Sequence, residues 1–216
     1  MNKEPIILIG GGGHCRSVMD VIEVQGQYEI FGILDMPDKV GTKVLGYPII
    51  GSDTEKELLE FKEQCPNFLV TVGQVKSAQL RKKIFHRIKV AGGQLPIIIS
   101  PKAHVSKHAK VEEGTVIHHF AMINANAKVG INCIINSGAL IEHDAVVGNH
   151  CHISTHGVIN GAARVGEGTM VGSNACMLPL SSLPENSMLA ASSILTQAVV
   201  EPGIYLGHPA KLYKNE

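Results

Sequence analysis

Two sites in this chain have residue types at spacings that suit chemistry. The first is His143, in Ile141-Glu142-His143-Asp144. It stands two positions after an aliphatic that recurs every sixth residue, so its side chain points away from the core that repeat builds. A carboxylate follows at once. An imidazole with one nitrogen held near a carboxylate is a general base of raised basicity. The same pattern also fits a surface histidine with no role, and the residues alone leave both open. The second site is the run Gly10-Gly11-Gly12-Gly13, which ends the apolar stretch Ile6–Ile9. Such a loop offers backbone N–H groups and a helix N-terminus to a phosphate. Arg16 stands where a dinucleotide fingerprint would need its third glycine, so the loop reads as a nucleotide phosphate site or a plain tight turn. Asp35 ends the second strand, where an acidic residue meets a ribose hydroxyl or simply makes a turn. His118, His119, His150, His152 and His156 invite a metal reading, but their nearest pairs are H-x-H and H-x₃-H.

The element that positions His143 is a ladder. From Ile99 to Leu195 every sixth residue is aliphatic or Met, and from Ala103 a small residue sits two places before each. A period of six is the signature of a hexapeptide-repeat β-helix. Three hexads make one triangular coil, so residues eighteen apart stack at about 4.8 Å, the spacing of neighbouring strands. Gly161 thus stacks one coil above His143. Asn124, Gly130, Asn136, Gly148, Asn160, Gly166 and Gly172 are expected at turns that visit positive φ. Cys133 and Cys151, also eighteen apart, are expected to be small, reduced core residues on adjacent coils. Flat faces and open coil edges favour association, and such prisms usually form three-fold oligomers.

Residues 1–98 lack the ladder. Ile6–Ile9 reads as a strand, followed by a helix with Gly26 as its stop. Tyr28–Leu34 reads as a second strand, with a helix from a cap at Ser52 or Asp53 to about Glu63. Phe68–Val72 reads as a third strand ending at Gly73, with a helix over Ser77–Val90. Strand, glycine turn, helix, strand is a βαβ opening. The expectation is a Rossmann-like α/β domain over 1–98 and an all-β parallel β-helix with a C-terminal tail over 99–216.

The bulk numbers exclude several partners. The 216 residues carry 19 Lys and Arg against 19 Asp and Glu, so neither nucleic acid nor an anionic membrane is a natural partner. The first apolar run is too short for a signal peptide and no stretch approaches a membrane span. The five cysteines include no C-x-x-C pair. A cytoplasmic protein is expected.

Taken in order, Gly-Gly-Gly-His at 11–14, Ile33-Leu34-Asp35, Val72-Gly73 followed by Arg81, Ile-Glu-His-Asp at 141–144 and Gly-x-Pro-Ala-Lys at 207–211 resemble one family. It is that of the bacterial sugar acyltransferases, which join a small nucleotide-sugar-binding domain to a hexapeptide prism. Relatives include the N-acetyltransferase of bacillosamine synthesis, the perosamine N-acetyltransferases and the sialic acid O-acetyltransferases. The resemblance implies a left-handed β-helix, acetyl-CoA as acyl donor with no metal, and a homotrimer with active sites at subunit interfaces. It implies His143 as base, tuned by Asp144 where bacillosamine enzymes usually carry Glu, with the Gly161 N–H one coil above as the candidate oxyanion donor. It implies Gly12, Gly13, His14, Asp35 and Gly73 around a UDP-linked amino sugar, with Met36 departing from a second acidic residue there. Asn136 matches a residue lining the sugar site. His152 matches a residue beside the thiol end of acetyl-CoA, and Ser173 and Ala191 match cofactor-lining positions. The expected reaction is N-acetylation of a UDP-4-amino-4,6-dideoxy sugar. Alternatives are an O-acetyltransferase on sialic acid or another sugar, an acyltransferase for dTDP- or GDP-amino sugars, and a metal-dependent or non-catalytic β-helix protein.

Overall fold

A computed structural model describes residues 3–214. The chain forms two compact units. One runs to Gly73 and includes Leu80–Ile98; the other comprises Gln74–Gln79 and the chain from Ile99 onward.

The first unit is a five-stranded sheet of β1 (Glu4–Ile9), β2 (Tyr28–Asp35), β3 (Lys43–Val44), β4 (Tyr47–Ser52) and β5 (Asn67–Val70), in the order β3-β4-β2-β1-β5. All neighbours are parallel except β3 and β4. Ile6–Ile9 is at most 1% exposed, as an unbroken apolar run must be when a parallel strand is covered on both faces. The chain leaves β1 one way to reach β2 and β4, and the other way to reach β5. The carboxyl ends of β1 and β5 therefore form a topological switch point, where such sheets bind ligands.

Helix α1 (Gly13–Gln25) starts from an extended Gly12 with no side-chain cap and stops at Gly26, left-handed at φ 72°. Helix α2 (Glu55–Lys62) is capped by Thr54, whose hydroxyl accepts from the Glu57 N–H, rather than by Ser52 or Asp53. Ser52 is instead held in β4, and its backbone and side chain bond the Glu57 carboxylate. Helix α3 (Gln79–Val90) is tied to the sheet by Arg81, which is 1% exposed. Its guanidinium donates to the carbonyls of Val70 (2.9 Å) and Val72 (2.6 Å). The hairpin of β3 and β4 had no counterpart in the sequence reading, because Gly46, Pro48 and Gly51 interrupt its apolar pattern.

In the second unit, two-residue parallel strands recur every six residues from Ile98–Ile99 to Ile194–Leu195. They stack in three sheets, each strand pairing with those eighteen residues away; on one face Ile123, Ile141, Ile159, Met177 and Leu195 align in register. This is a left-handed parallel β-helix. Its interior holds the ladder aliphatics with the small Ala121, Ala127, Cys133, Ala139, Ala145 and Cys151 between them. Cys133 and Cys151 are free thiols on adjacent coils, donating to the Gly148 and Gly166 carbonyls. A hairpin closes the stack: Ile204–Gly207 runs parallel to Met188–Leu189, and Ala210–Lys214 returns antiparallel across it.

The corners correct one expectation. Positive φ falls at Phe120, Asn126, Asn132, Asp144, His150, His156 and their sixfold successors. That is two residues beyond Asn124, Gly130, Asn136, Gly148, Asn160, Gly166 and Gly172. At Gly130, Gly148, Gly166 and Gly172 glycine is demanded by close approach instead. A Cβ on Gly172 would sit 2.5 Å from the Ala191 nitrogen of the next coil.

Candidate active site

His143 and Asp144 occupy a corner of the prism after the inward Ile141. Asp144 takes the left-handed position, φ 62°, which short polar side chains tolerate better than most. Its N–H donates to the Ala125 carbonyl one coil below. The turn carries the carboxylate back to the ring of the preceding residue, with His143 Nδ1 2.8 Å from Asp144 Oδ2. The Asn126 amide donates to the other oxygen at 2.6 Å. With Nδ1–H donating to Asp144, Nε2 carries the free lone pair. Both side chains are more than half exposed. The hydrogen bond to Asp144 raises the His143 pKa above its ordinary value despite slight desolvation. The bonds from His143 and Asn126 lower that of Asp144.

Gly161 lies one coil above, directly over the imidazole. Its carbonyl accepts from the Leu180 N–H at 3.1 Å. Among the described residues its own N–H has no acceptor. The predicted base, its carboxylate and the predicted oxyanion donor are therefore in one place.

Asn136, His152, Ser173 and Ala191 lie elsewhere on the prism. They follow or belong to the sheet of Ile134–Ile135, His152–Ile153 and Met170–Val171, whereas His143 and Gly161 follow the sheet of Leu140–Ile141 and Val158–Ile159. These are different corners of the same chain. His152 is 8% exposed and both ring nitrogens are engaged. Nδ1 is 2.7 Å from the Gln74 carbonyl, which fixes the proton there, and Nε2 accepts from the Asn136 amide at 3.3 Å. The Ser173 hydroxyl meets that of Ser154 at 3.0 Å, and Ala191 is exposed.

The remaining predicted residues meet in the first unit. Gly12, Gly13, His14, Asp35, Met36 and Gly73 line a cavity of about 490 Å³ at the switch point. The start of α1, which has no side-chain cap, faces it, the usual recipe for a phosphate. Asp35 accepts from the Gly11 N–H (2.8 Å), the Met36 N–H (2.7 Å) and the Lys39 ammonium (3.1 Å to each oxygen). Burial works against its charge, but these donors outweigh it and lower its pKa. Asp35 thus closes the glycine loop. Lys39 was missed in the sequence, where the only signal was its i, i+4 spacing from Asp35.

His118 is buried, 1% exposed. Desolvation, with the neighbouring His119 and His152, pushes its pKa down to about 4. Among the described residues no group of three or more His, Cys, Asp or Glu is arranged to hold a metal, and no helix is long and apolar enough to cross a membrane.

Residues 5–88 match the PglD N-terminal domain family. Over 114 residues the chain is 31% identical to the UDP-N-acetylbacillosamine N-acetyltransferase of Bacillus subtilis, a match covering 52% of this chain and half the length of that curated relative. Two solved structures match over nearly all of both chains. One is a histidine-to-asparagine mutant of perosamine N-acetyltransferase from Caulobacter crescentus in complex with CoA and GDP-perosamine. It has a TM-score of 0.89 and 28% identity over 98% of this chain and 97% of that one. The other is the acetyltransferase domain of PglB from Neisseria gonorrhoeae in complex with acetyl coenzyme A, at 0.87 and 25% over 97% and 99%. Its N-terminal α/β domain thus matches the PglD N-terminal domain family, and over nearly its whole length the chain is similar to these acetyltransferases.

Proposed function

We propose that this protein is an acetyl-CoA-dependent N-acetyltransferase acting on the 4-amino group of a UDP-linked 4-amino-4,6-dideoxy sugar. One observation carries the chemistry: the His143–Asp144 pair presents Nε2 against Gly161, whose N–H has no acceptor among the described residues. The sugar amine attacks the thioester carbonyl carbon, a C–N bond forms, and the carbonyl π pair moves onto oxygen. The Gly161 N–H stabilises that oxyanion, an effect of about 3–4 kcal/mol in comparable sites. His143 takes the proton the amine loses, with Asp144 supporting the imidazolium. Collapse breaks the C–S bond, and the CoA thiolate leaves as thiol with the proton from His143. A neutral amine is nucleophilic enough for direct attack, so no acyl-enzyme is needed.

The cavity at the switch point is suited to the nucleotide, with the diphosphate at the start of α1 and Gly12, Gly13, His14 and Gly73 around it. The choice of UDP is supported by the name of the Bacillus relative; the Caulobacter structure holds a GDP sugar. Asn136 would line the sugar site, and His152, Ser173 and Ala191 would line the acyl donor's path. Because these fall on a different corner from His143, a complete site calls for two chains. A homotrimer with sites at its seams meets that need. The outward column Met122, Leu140, Val158, Cys176 and Ile194, mostly apolar on one flat face, suits such a seam.

The test is thiol release from acetyl-CoA against a panel of UDP-, dTDP- and GDP-4-amino sugars and free and CMP-linked sialic acid. Release with the UDP-amino sugar is expected. Release only with another nucleotide would correct the substrate, and release only with sialic acid would replace N- by O-acetylation. Analytical ultracentrifugation is expected to give three times the chain mass.

A further inference from the structure

Why the Gly161 N–H is left without an acceptor can be read from the column of side chains that precedes each residue at this corner: Asn124, Glu142, Asn160 and Leu178. In the lower coils the side chain caps the amide that follows it. Asn124 Oδ1 accepts from the Ala125 N–H at 2.8 Å, while its Nδ2 donates up the column to Glu142 Oε2 at 2.9 Å. Glu142 Oε2 lies 3.3 Å from the His143 N–H. Asn160 breaks the pattern. Above it stands Leu178, which has no acceptor to offer. Its amide turns instead to the backbone of the next coil, with Nδ2 2.9 Å from the Met177 carbonyl and 3.3 Å from Cys176 Sγ. A carbonyl acceptor fixes which end of the amide points there. In that orientation Oδ1 does not cap Gly161.

We infer that Asn160 is a positioning residue for the acyl transfer: by donating to Met177 it withholds the side-chain oxygen that would cap the Gly161 N–H, and so keeps that N–H for the developing oxyanion. This rests on the acyltransferase reading above. Gly161 is the group that meets the reacting atoms, and Asn160 acts through it.

The inference separates two substitutions that a purely structural role would rank the other way. Asn160→Ala removes the bond to Met177 and leaves nothing to cap Gly161. Its kcat is expected within about threefold of wild type. Asn160→Asp keeps the shape but cannot donate to a carbonyl, so its carboxylate turns to accept from the Gly161 N–H as Asn124 does from Ala125. Its kcat is expected to fall by about 10²-fold, the scale of losing one oxyanion donor, with KM for acetyl-CoA little changed.

A direct readout needs no turnover. Asn160–Gly161 is the only Asn–Gly dipeptide in the chain. Labelling Asn at the carbonyl carbon with ¹³C and Gly with ¹⁵N therefore isolates the Gly161 amide in one NMR signal. Its hydrogen exchange is expected to be fast in the wild-type protein and in Asn160→Ala, and slowed in Asn160→Asp. A protected Gly161 amide in the wild type, or an equal loss of kcat in both variants, overturns the role of Asn160 and leaves acyl transfer intact. No thiol release by the wild type with any acceptor sugar overturns both.

Discussion

The imidazole of His143 lies against the Cα of Gly161, so that a Cβ built there would sit 2.8 Å from Nε2. Gly161 has an ordinary backbone conformation, since its φ is not among the positive ones. Alanine is therefore excluded by the ring alone. Gly161→Ala is expected to fold with an unchanged melting temperature, to push the ring off its position, and to lower kcat by about 10²-fold, since small misplacements of reacting groups cost that much. Steady-state kinetics beside a thermal melt check it.

His143→Ala removes the proposed base while leaving the corner's backbone bonds in place. Turnover is expected to fall by about 10²–10⁴-fold, the contribution of a positioned general base. Acetyl-CoA affinity by calorimetry should stay near wild type. Near-normal turnover would sink the assignment.

Asp144→Asn tests the pair through pH. His143 works as a base only when neutral, so activity falls as pH drops through its pKa, which the hydrogen bond to Asp144 raises. Removing the charge lowers that pKa. The acid limb of the kcat profile is then expected to move to lower pH, while the plateau falls because the base is weaker. A limb that stays in place would assign it to another group.

Much of this site could be read in the chain because the ladder converts residue number into position. His143, Asp144 and Gly161 are related by one step and by one coil, and a phase that never slips carries both into space. The Gly26 stop and the buried run Ile6–Ile9 were legible for the same reason, each resting on a local rule. Where side chains choose between partners, the pattern was silent. Asn124 and Asn160 occupy equivalent places, yet Glu142 above one and Leu178 above the other turn their amides differently. The positive-φ corners were misplaced because Gly130, Gly166 and Gly172 serve close approach between coils. Lys39 was missed because a surface lysine four residues from an aspartate looks the same whether or not a cavity lies beside it.

Buried His118 gives stability a pH dependence. Its folded pKa of about 4 lies below the ordinary 6.5, so the unfolded chain binds the extra proton between those values. Stability is then full above about pH 6.5 and lost progressively down to about 4, by roughly 3 kcal/mol in all. Urea midpoints measured across that window should fall with pH, and His118→Asn should flatten the slope.

The glycine loop separates folding from binding. A Cβ on Gly12 meets nothing within 4 Å, whereas one on Gly10, at φ 102°, would strike Val72 at 2.5 Å. Gly12→Ala is expected to melt as wild type and to raise KM for the nucleotide sugar alone. Gly10→Ala is expected to destabilise the first unit by about 1–3 kcal/mol or more, through strain and overpacking together.

The hairpin of Ile204–Gly207 and Ala210–Lys214 gives the β-helix a terminus in the sense a polymer chemist would use. A stack of parallel strands is a template that accepts another identical layer as readily as its last one. The returning strand reverses direction across the edge of one of the three sheets, so on that face the growing end is chain-terminated. A repeat that could in principle elongate along all three faces thereby loses the template on one of them.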